Sequence, residues 1–445
     1  MSLQAPRGTT DLLPDDVKRW SAVEHAAKRL ARAYGYQELR TPLIEDAALF
    51  LHSVGETTDL IQKEMFRFED RGGHEIVLRP EGTASVVRAY LEHNLHKTQG
   101  FAKLFYLGPM FRAERPQAGR FRQFHQYGAE AIGSESPWVD VEVVTLCLGI
   151  LDACGVRDAD VWLSSMGCRA DQARSAEALR ARLAPEKNTL CKECQARFEK
   201  NVFRVLDCKN PACHEIAWRA KGSPFLLCEG CAAHFDEVRR GLREAQVRFD
   251  DTKVFARGLD YYTRTVFEVR AGGPRPDGGR GGLGAQDAVA AGGRYDHLVE
   301  ELGGPAMGAF GFAAGIERVL MASGKSEAPP GHGSSRRGPR LDSSERRGGL
   351  YLAVAQPTLL GEGFRFVQAL RARGVTSFMD YDGKSLKAQL READKHGCAL
   401  VAILGEAEMQ RQSMTLKDLE RGSQRTVAFD SLVEEVAKQS VSSCH

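Results

Sequence analysis

The stretch YLGPMFRAERPQAGRFRQFHQYGAE, residues 106–130, holds four arginines between Arg112 and Arg122 and no lysine. Apolar and aromatic residues flank the loop AERPQAGR on both sides, so the segment reads as two strands joined by that loop. A solvated turn mixes lysine, glutamate and serine. Arginine alone points to bidentate grip on carboxylate or phosphate oxygens. In the second strand the two-residue period places Phe124, Gln126, Gly128 and Glu130 on one face, a polar row with a gap for a close-lying ligand. Outward from this hairpin, further strand patterns (EIVL, TKVFARGLDYYTRTVFEVRA, AVAAGG) interleave with helical ones. The expectation is an α+β fold on an antiparallel sheet, not a doubly wound parallel one.

At 445 residues the chain is long enough for two or three domains. It is 42% hydrophobic and 27% charged, with no run approaching the ~18 apolar residues of a membrane span. The opening MSLQAPRGTTDLLPDD lacks a secretory pattern, so a cytoplasmic protein without a membrane partner is expected. A net charge of +2 means that a polyanion must be held by local patches. Six of the eleven cysteines fall between Cys191 and Cys231, which argues against a chain-wide disulfide framework. Cys191-x2-Cys194 and Cys228-x2-Cys231 form two knuckles expected to share one structural zinc ion. Cys208 or Cys213 are possible substitutes, His214 and His234 lie alongside, and buried free thiols are the alternative.

Along the chain, residues 17–34 carry Val17, Trp20, Val23, Ala27, Leu30 and Tyr34 on one helical stripe. GYQELRTPLIE reads as a strand whose Pro42 confines it to a sheet edge or a subunit contact. The expected divisions are 1–155, a helical cysteine-rich insertion over 156–250, a return of the first domain over 251–322, a flexible linker over 323–347, and a small α/β domain with a parallel sheet over 348–445. In RPEGT, Glu81 and Thr83 either bind an ammonium group or cap a helix; on this segment alone the cap is favoured. RGLDYY groups Arg257 with Tyr261 and Tyr262, a pair that equally suits a core. GFAAGIERVL places Arg318 on a glycine-started helix. The glycine-rich stretch from 271 to 284 has no GxxxxGK[ST] phosphate loop and reads as surface loop.

Taken together, PRGTTDLLP, LRPEGT, GPMFRAERPQAGRFRQFHQ, RGLDYY, AGGRYD and GKSLKAQLREADK resemble the bacterial-type histidyl-tRNA synthetases, a family of class II aminoacyl-tRNA synthetases, over nearly the whole chain. The resemblance implies a six-stranded antiparallel catalytic sheet, a helical insertion, a C-terminal α/β anticodon-binding domain, and a homodimer with Pro42 in the interface motif. It implies that Arg112 holds the ATP α-phosphate and the histidine carboxylate, with Arg257 at the α-phosphate where other class II enzymes place a metal ion. Glu114, Arg120 and Arg318 join the ATP set, with Mg2+ accompanying the nucleotide. Glu81, Gly82, Thr83 and Gln126 match the residues around the histidine ammonium; Glu130 and Tyr262 match groups bonding the two ring nitrogens, with Tyr261 adjacent. Arg115 and Gln117 are placed to meet the acceptor end of tRNA(His). Three departures stand out: His297 where the family usually has glycine, an extended glycine-rich loop, and a long linker.

The implied reaction joins two mutually repelling anions, so positioning and charge neutralisation carry it and no nucleophilic cysteine or serine is required. A pocket bonding both ring nitrogens rejects other amino acids by leaving its own polar groups unpaired, so no editing domain is needed. One rival is the non-catalytic, synthetase-like regulatory subunit of ATP phosphoribosyltransferase, which lacks the anticodon-binding domain and has lost active-site residues; another is a zinc-stabilised RNA-binding module with a vestigial catalytic fold.

Overall fold

The computed structural model describes residues 3–55, 58, 60–117, 119–157, 159–206, 208, 210–218, 224–253, 255, 259–271, 288–323 and 348–442. Its strands are β1 (Gln37–Glu38), β2 (Ile44–Asp46), β3 (Phe66–Glu69), β4 (Glu75–Leu78), β5 (Ala102–Phe111), β6 (Gln123–Ile132), β7 (Ala159–Ser165), β8 (Thr263–Ala271), β9 (Ala288–Arg294), β10 (Ala309–Gly315), β11 (Leu350–Val354), β12 (Ser377–Met379), β13 (Leu400–Leu404), β14 (Ser413–Asp418) and β15 (Gln424–Ala428).

Seven of them form one sheet in the order β1-β5-β6-β10-β9-β8-β7. Six are antiparallel, as expected, and the two-residue β1 adds a parallel edge beside β5. One face packs on the helix Pro137–Ala153, which is mostly apolar and buried along most of its length, with Asp140 and Glu142 among its buried residues. Ser136 and Pro137 start that helix, with the Ser136 hydroxyl accepting from the Trp138 N–H. The helix Pro14–Ala33 packs through Trp20, Val23, Ala27 and Leu30, while Val17 is exposed, so the expected stripe begins one turn later.

Three sequence-based expectations need correction. Residues 40–43, including Pro42, lie between β1 and β2 rather than inside a strand, since proline cannot donate to either ladder. The segment expected to be a helical insertion from residue 156 first supplies β7, an edge strand of the main sheet. There Val161 and Leu163 bury against the core while Trp162 stacks under Arg270, 3.7 Å from its ring centroid. At its far end the helix Glu229–Glu244 returns to pack on Pro137–Ala153, with Trp138 Nε1 donating to Glu237 at 2.9 Å. Finally, the C-terminal sheet is mixed, in the order β12-β11-β13-β14-β15. The first three strands are parallel, but the short turn after Asp418, whose carboxylate accepts the Glu420 and Arg421 N–H groups, folds β14 and β15 into an antiparallel hairpin.

The C-terminal unit is bolted to the main sheet through buried charge. Glu142, on the central helix, accepts from Lys103 of β5 at 2.7 Å and from Arg371 of the helix Leu360–Ala372 at 2.7 Å, and Tyr381 donates to the same carboxylate. Burial alone would push the Glu142 carboxyl up, but Lys103 and Arg371 hold it below the ordinary range, so the group stays ionised. Phe364 packs on Trp138, and Ser134 donates to Asp382 at 2.5 Å.

Candidate active site

The paired strands β5 and β6 carry the site. Their register sets Tyr106 opposite Gly128 and Leu104 opposite Glu130. The Glu130 carboxylate is fully buried; Thr83 donates to one oxygen at 2.8 Å and Tyr295 to the other at 2.6 Å. Burial pushes the Glu130 carboxyl up to about 8, against the pull of those two hydroxyls. Tyr295 is the residue sequence reasoning missed. Its only signal was its place in the quoted AGGRYD stretch, and the preceding Arg294 is locked on Asp140 of the central helix at 2.5 Å.

Glu81 closes the same cluster and does what the capping alternative expected: its two oxygens accept the N–H groups of Thr83 and Ala84 at 2.7 and 2.8 Å, opening the helix Thr83–Glu92. A carboxylate has about four lone-pair sites, so the cap leaves room for an ammonium donor. Burial raises the Glu81 carboxyl, opposed by those two N–H groups and by Arg112. Gly82 faces the Tyr106 ring, where a Cβ would sit 2.4 Å from ring carbons. Tyr261 and Tyr262 pack with tilted rings 4.7 Å apart, and Tyr261 meets Tyr295 edge-on at 5.8 Å. Burial pushes the phenols of Tyr106, Tyr261 and Tyr295 far up, so all three are neutral.

Beside this cluster lies a cavity of about 450 Å3 lined by Arg112, Glu114, Arg120, Gln126 and Arg318. The loop after β5 thus sorts its arginines. Arg112, stacked over Phe124, and Arg120 face the cavity, while Arg115 and Gln117 are exposed. Glu114 holds both inward arginines, at 2.7 Å from Arg120 and 3.8 Å from Arg112. Arg318 reaches in from the helix Ile316–Ala322, donating to the carbonyls of Gly119 and Ala288 at 3.0 and 2.8 Å. Burial lowers its pKa, and the positive charges of Arg120 and Arg112 lower it further. Three guanidinium groups that repel one another around one cavity form a receptor for a polyanion. Gln126 Oε1 is buried there with no hydrogen-bond partner among the described residues, an acceptor awaiting a donor. Arg257 lies outside the described residues, as do the glycine-rich residues 272–287 and the linker residues 324–347. His297 has φ −105°, a conformation open to any residue, so its backbone does not call for glycine.

The insertion contributes one unforeseen group. Arg204 also lines the cavity and pairs with Asp260 at 3.2 Å, while Asn201 donates to the same carboxylate oxygen at 3.2 Å.

The expectation that Cys191, Cys194, Cys228 and Cys231 share one ion is corrected. Cys191 and Cys194 gather with Cys208 and Cys213, whereas Cys228 and Cys231 gather with Cys168 and Asp171. The physical reason is the chain path. The second knuckle begins the helix that returns to the core, so it meets the strand end at Cys168 rather than the first knuckle.

The family model described as histidyl-tRNA synthetase matches residues 8–207 and 226–319, and one described as anticodon binding domain matches 352–439. Histidine–tRNA ligase of Desulfitobacterium hafniense is 44% identical over 443 residues, 99% of either chain. That of Halothermothrix orenii is 41% identical, covering 98% of this chain and 100% of the relative. Among solved structures, apo histidyl-tRNA synthetase of S. aureus superposes with a TM-score of 0.57 at 32% identity, covering 98% of this chain and 100% of that one. With the arginine-lined cavity and the closed carboxylate–tyrosine cluster of the site standing on the sheet that this match spans, the chain belongs to the histidyl-tRNA synthetase family.

Proposed function

We propose that this chain is a histidine–tRNA ligase, activating L-histidine with ATP and transferring it to the 3′ end of tRNA(His). The observation that carries this reading is the adjacency of two unlike receptors: the cavity of Arg112, Arg120 and Arg318, and the buried cluster of Glu81, Thr83, Glu130 and Tyr262. Histidine would lie across the boundary. Its ammonium would meet Glu81, Thr83 and the orphan acceptor of Gln126, with Gly82 between them admitting the Tyr106 ring; its ring nitrogens would meet Glu130 and Tyr262, beside Tyr261. Its carboxylate would point to Arg112.

In the first step a histidine carboxylate oxygen forms a bond to the α-phosphorus, and the bond to the β-phosphate oxygen breaks, releasing pyrophosphate. In the second, a terminal ribose hydroxyl of tRNA attacks the adenylate carbonyl, losing its proton, and AMP departs. Arg112, with Arg257, would neutralise the α-phosphate; Arg120, Arg318 and Glu114 would hold the rest of ATP, which enters as its Mg2+ complex. The arginines act by charge already in place, not by bond making.

Exposed Arg115 and Gln117 suit contact with the tRNA acceptor end, and residues 348–445 suit contact with the anticodon. We assign the catalytic unit to residues 1–155 and 251–322 together with β7, a homodimeric assembly, and a cytoplasmic setting. Cys191, Cys194, Cys208 and Cys213 suit one structural zinc ion, four thiols with no open position. Against the regulatory-subunit rival stands the C-terminal anticodon-domain match. Histidine-dependent exchange of pyrophosphate into ATP tests the reading: folded protein that catalyses no exchange defeats it.

A further inference from the structure

We infer that the chain carries a second, separate zinc centre at the base of its insertion, formed by Cys168, Asp171, Cys228 and Cys231. The ligand atoms of these four residues lie within 4.8 Å of one another. Three thiols and a carboxylate match the ligand preferences of tetrahedral zinc. The surrounding groups are those a thiolate–metal site requires. Cys168 and Cys228 are the N-cap residues of the helices Arg169–Leu183 and Glu229–Glu244, so two helix N-termini face the sulfurs. The Cys228 sulfur accepts the Cys231 N–H, and the Cys168 sulfur accepts the N–H of Asp171. Asp171 is fully buried; its oxygens accept the N–H groups of Cys228 at 3.0 Å and Cys168 at 3.3 Å, which orients the carboxylate while leaving lone pairs for an ion. Four anionic ligands around a divalent ion leave net negative charge, and Arg174, paired with Asp171, offsets part of it.

The position gives the centre a task. Cys168 follows β7 of the main sheet, and Cys228 begins the helix that brings the chain back, so the ion would clasp the two ends of the insertion together. One turn on, Gln172 donates to the Tyr262 carbonyl at 2.9 Å, and the Gly167 carbonyl accepts from Arg264 at 2.8 Å. The clasp therefore braces the backbone beneath the pocket tyrosines.

Metal analysis and native mass spectrometry of the full chain, expressed in zinc-supplemented medium, test this. The expected count is two zinc ions in the unaltered protein, one in the Cys168→Ser/Cys231→Ser variant and one in the Cys194→Ser/Cys208→Ser variant. Should the unaltered protein hold one ion that the Cys168/Cys231 replacements leave in place, or should a Cys168–Cys231 disulfide replace the metal, the proposal is overturned. To separate ligation from folding, the stripped protein is titrated with cobalt(II), whose near-ultraviolet charge-transfer bands report thiolate ligands and whose visible bands shift with the ligand set and geometry. Asp171→Asn is expected to alter the bands of one binding step and not the other; two unaltered steps overturn the carboxylate assignment.

Discussion

Tyr295 donates its hydroxyl to Glu130 across 2.6 Å of fully buried space, and Thr83 satisfies the other oxygen. Among the described residues no cation touches this carboxyl group, and burial lifts it to about 8 from its ordinary 4.5. With a folded pKa raised above the unfolded one, the linked stability is fully present below pH 4.5 and is lost as the pH rises to about 8. Glu130→Gln removes that loss. Its stability advantage over the unaltered protein should be near zero at pH 4.5, grow by roughly 1.4 kcal/mol per pH unit at most, and level off above pH 8. Urea melts at stepped pH read the difference, while histidine activation by the same variant should fall sharply.

Gly311 pairs with Glu130 across the β6–β10 ladder, and a Cβ there would lie 1.7 Å from a Glu130 oxygen. Gly311→Ala should fold, at a cost of about 1–3 kcal/mol, with Glu130 displaced. Histidine KM is expected to rise at least tenfold with the KM for ATP little changed; equal effects on both would contradict the separation of the two receptors.

Arg318 uses two different nitrogens on two carbonyls, which a lysine ammonium on a flexible stem cannot reproduce in that geometry. Arg318→Lys should therefore lower pyrophosphate exchange by about 10²–10³ while histidine binding by calorimetry persists.

Arg204 lines the cavity, and its neighbours Phe203 and Val205 pack in the cluster that contains Cys194, Cys208 and Cys213. Arg204→Ala is expected to weaken ATP use, and Cys194→Ser/Cys208→Ser should reproduce that defect by letting residues 201–205 shift. A cysteine variant with normal ATP kinetics would separate the thiol cluster from the cavity.

Arg371 also stacks over the Tyr34 ring at 4.2 Å. Arg371→Ala strips Glu142 of one of its two cations and should destabilise the protein by about 3–5 kcal/mol in chemical denaturation. Replacing all three members, as Glu142→Leu with Lys103→Met and Arg371→Met, should recover most of the loss, since the cost comes from a buried charge left short of partners.

Local chemistry was legible in the sequence and chain path was not. The arginine loop and the Gln126–Gly128–Glu130 row could be read because strand periodicity and residue type act over a few positions, and the structure brings Arg112, Arg120, Gln126 and Arg318 to one cavity. Glu81 shows the limit of such reading: capping and ligand binding use the same oxygens. The cysteine grouping failed because two identical CxxC spacings say nothing about which distant residue each will meet, and Cys168 lies 23 positions before Cys191. β7 was absorbed into a helical region because seven residues of alternating pattern sit between long helices. Asp140 and Glu142 are two acids in a mostly apolar helix, and their partners Arg294 and Arg371 are far along the chain.

The buried Glu142–Arg371 union has a bearing on how a transfer RNA is gauged. A C-terminal unit hung on a loose tether would follow whatever anticodon stem it touched. Fastened through desolvated charge and aromatic packing, it instead keeps a set span from the catalytic cavity, like the jaws of a locked caliper.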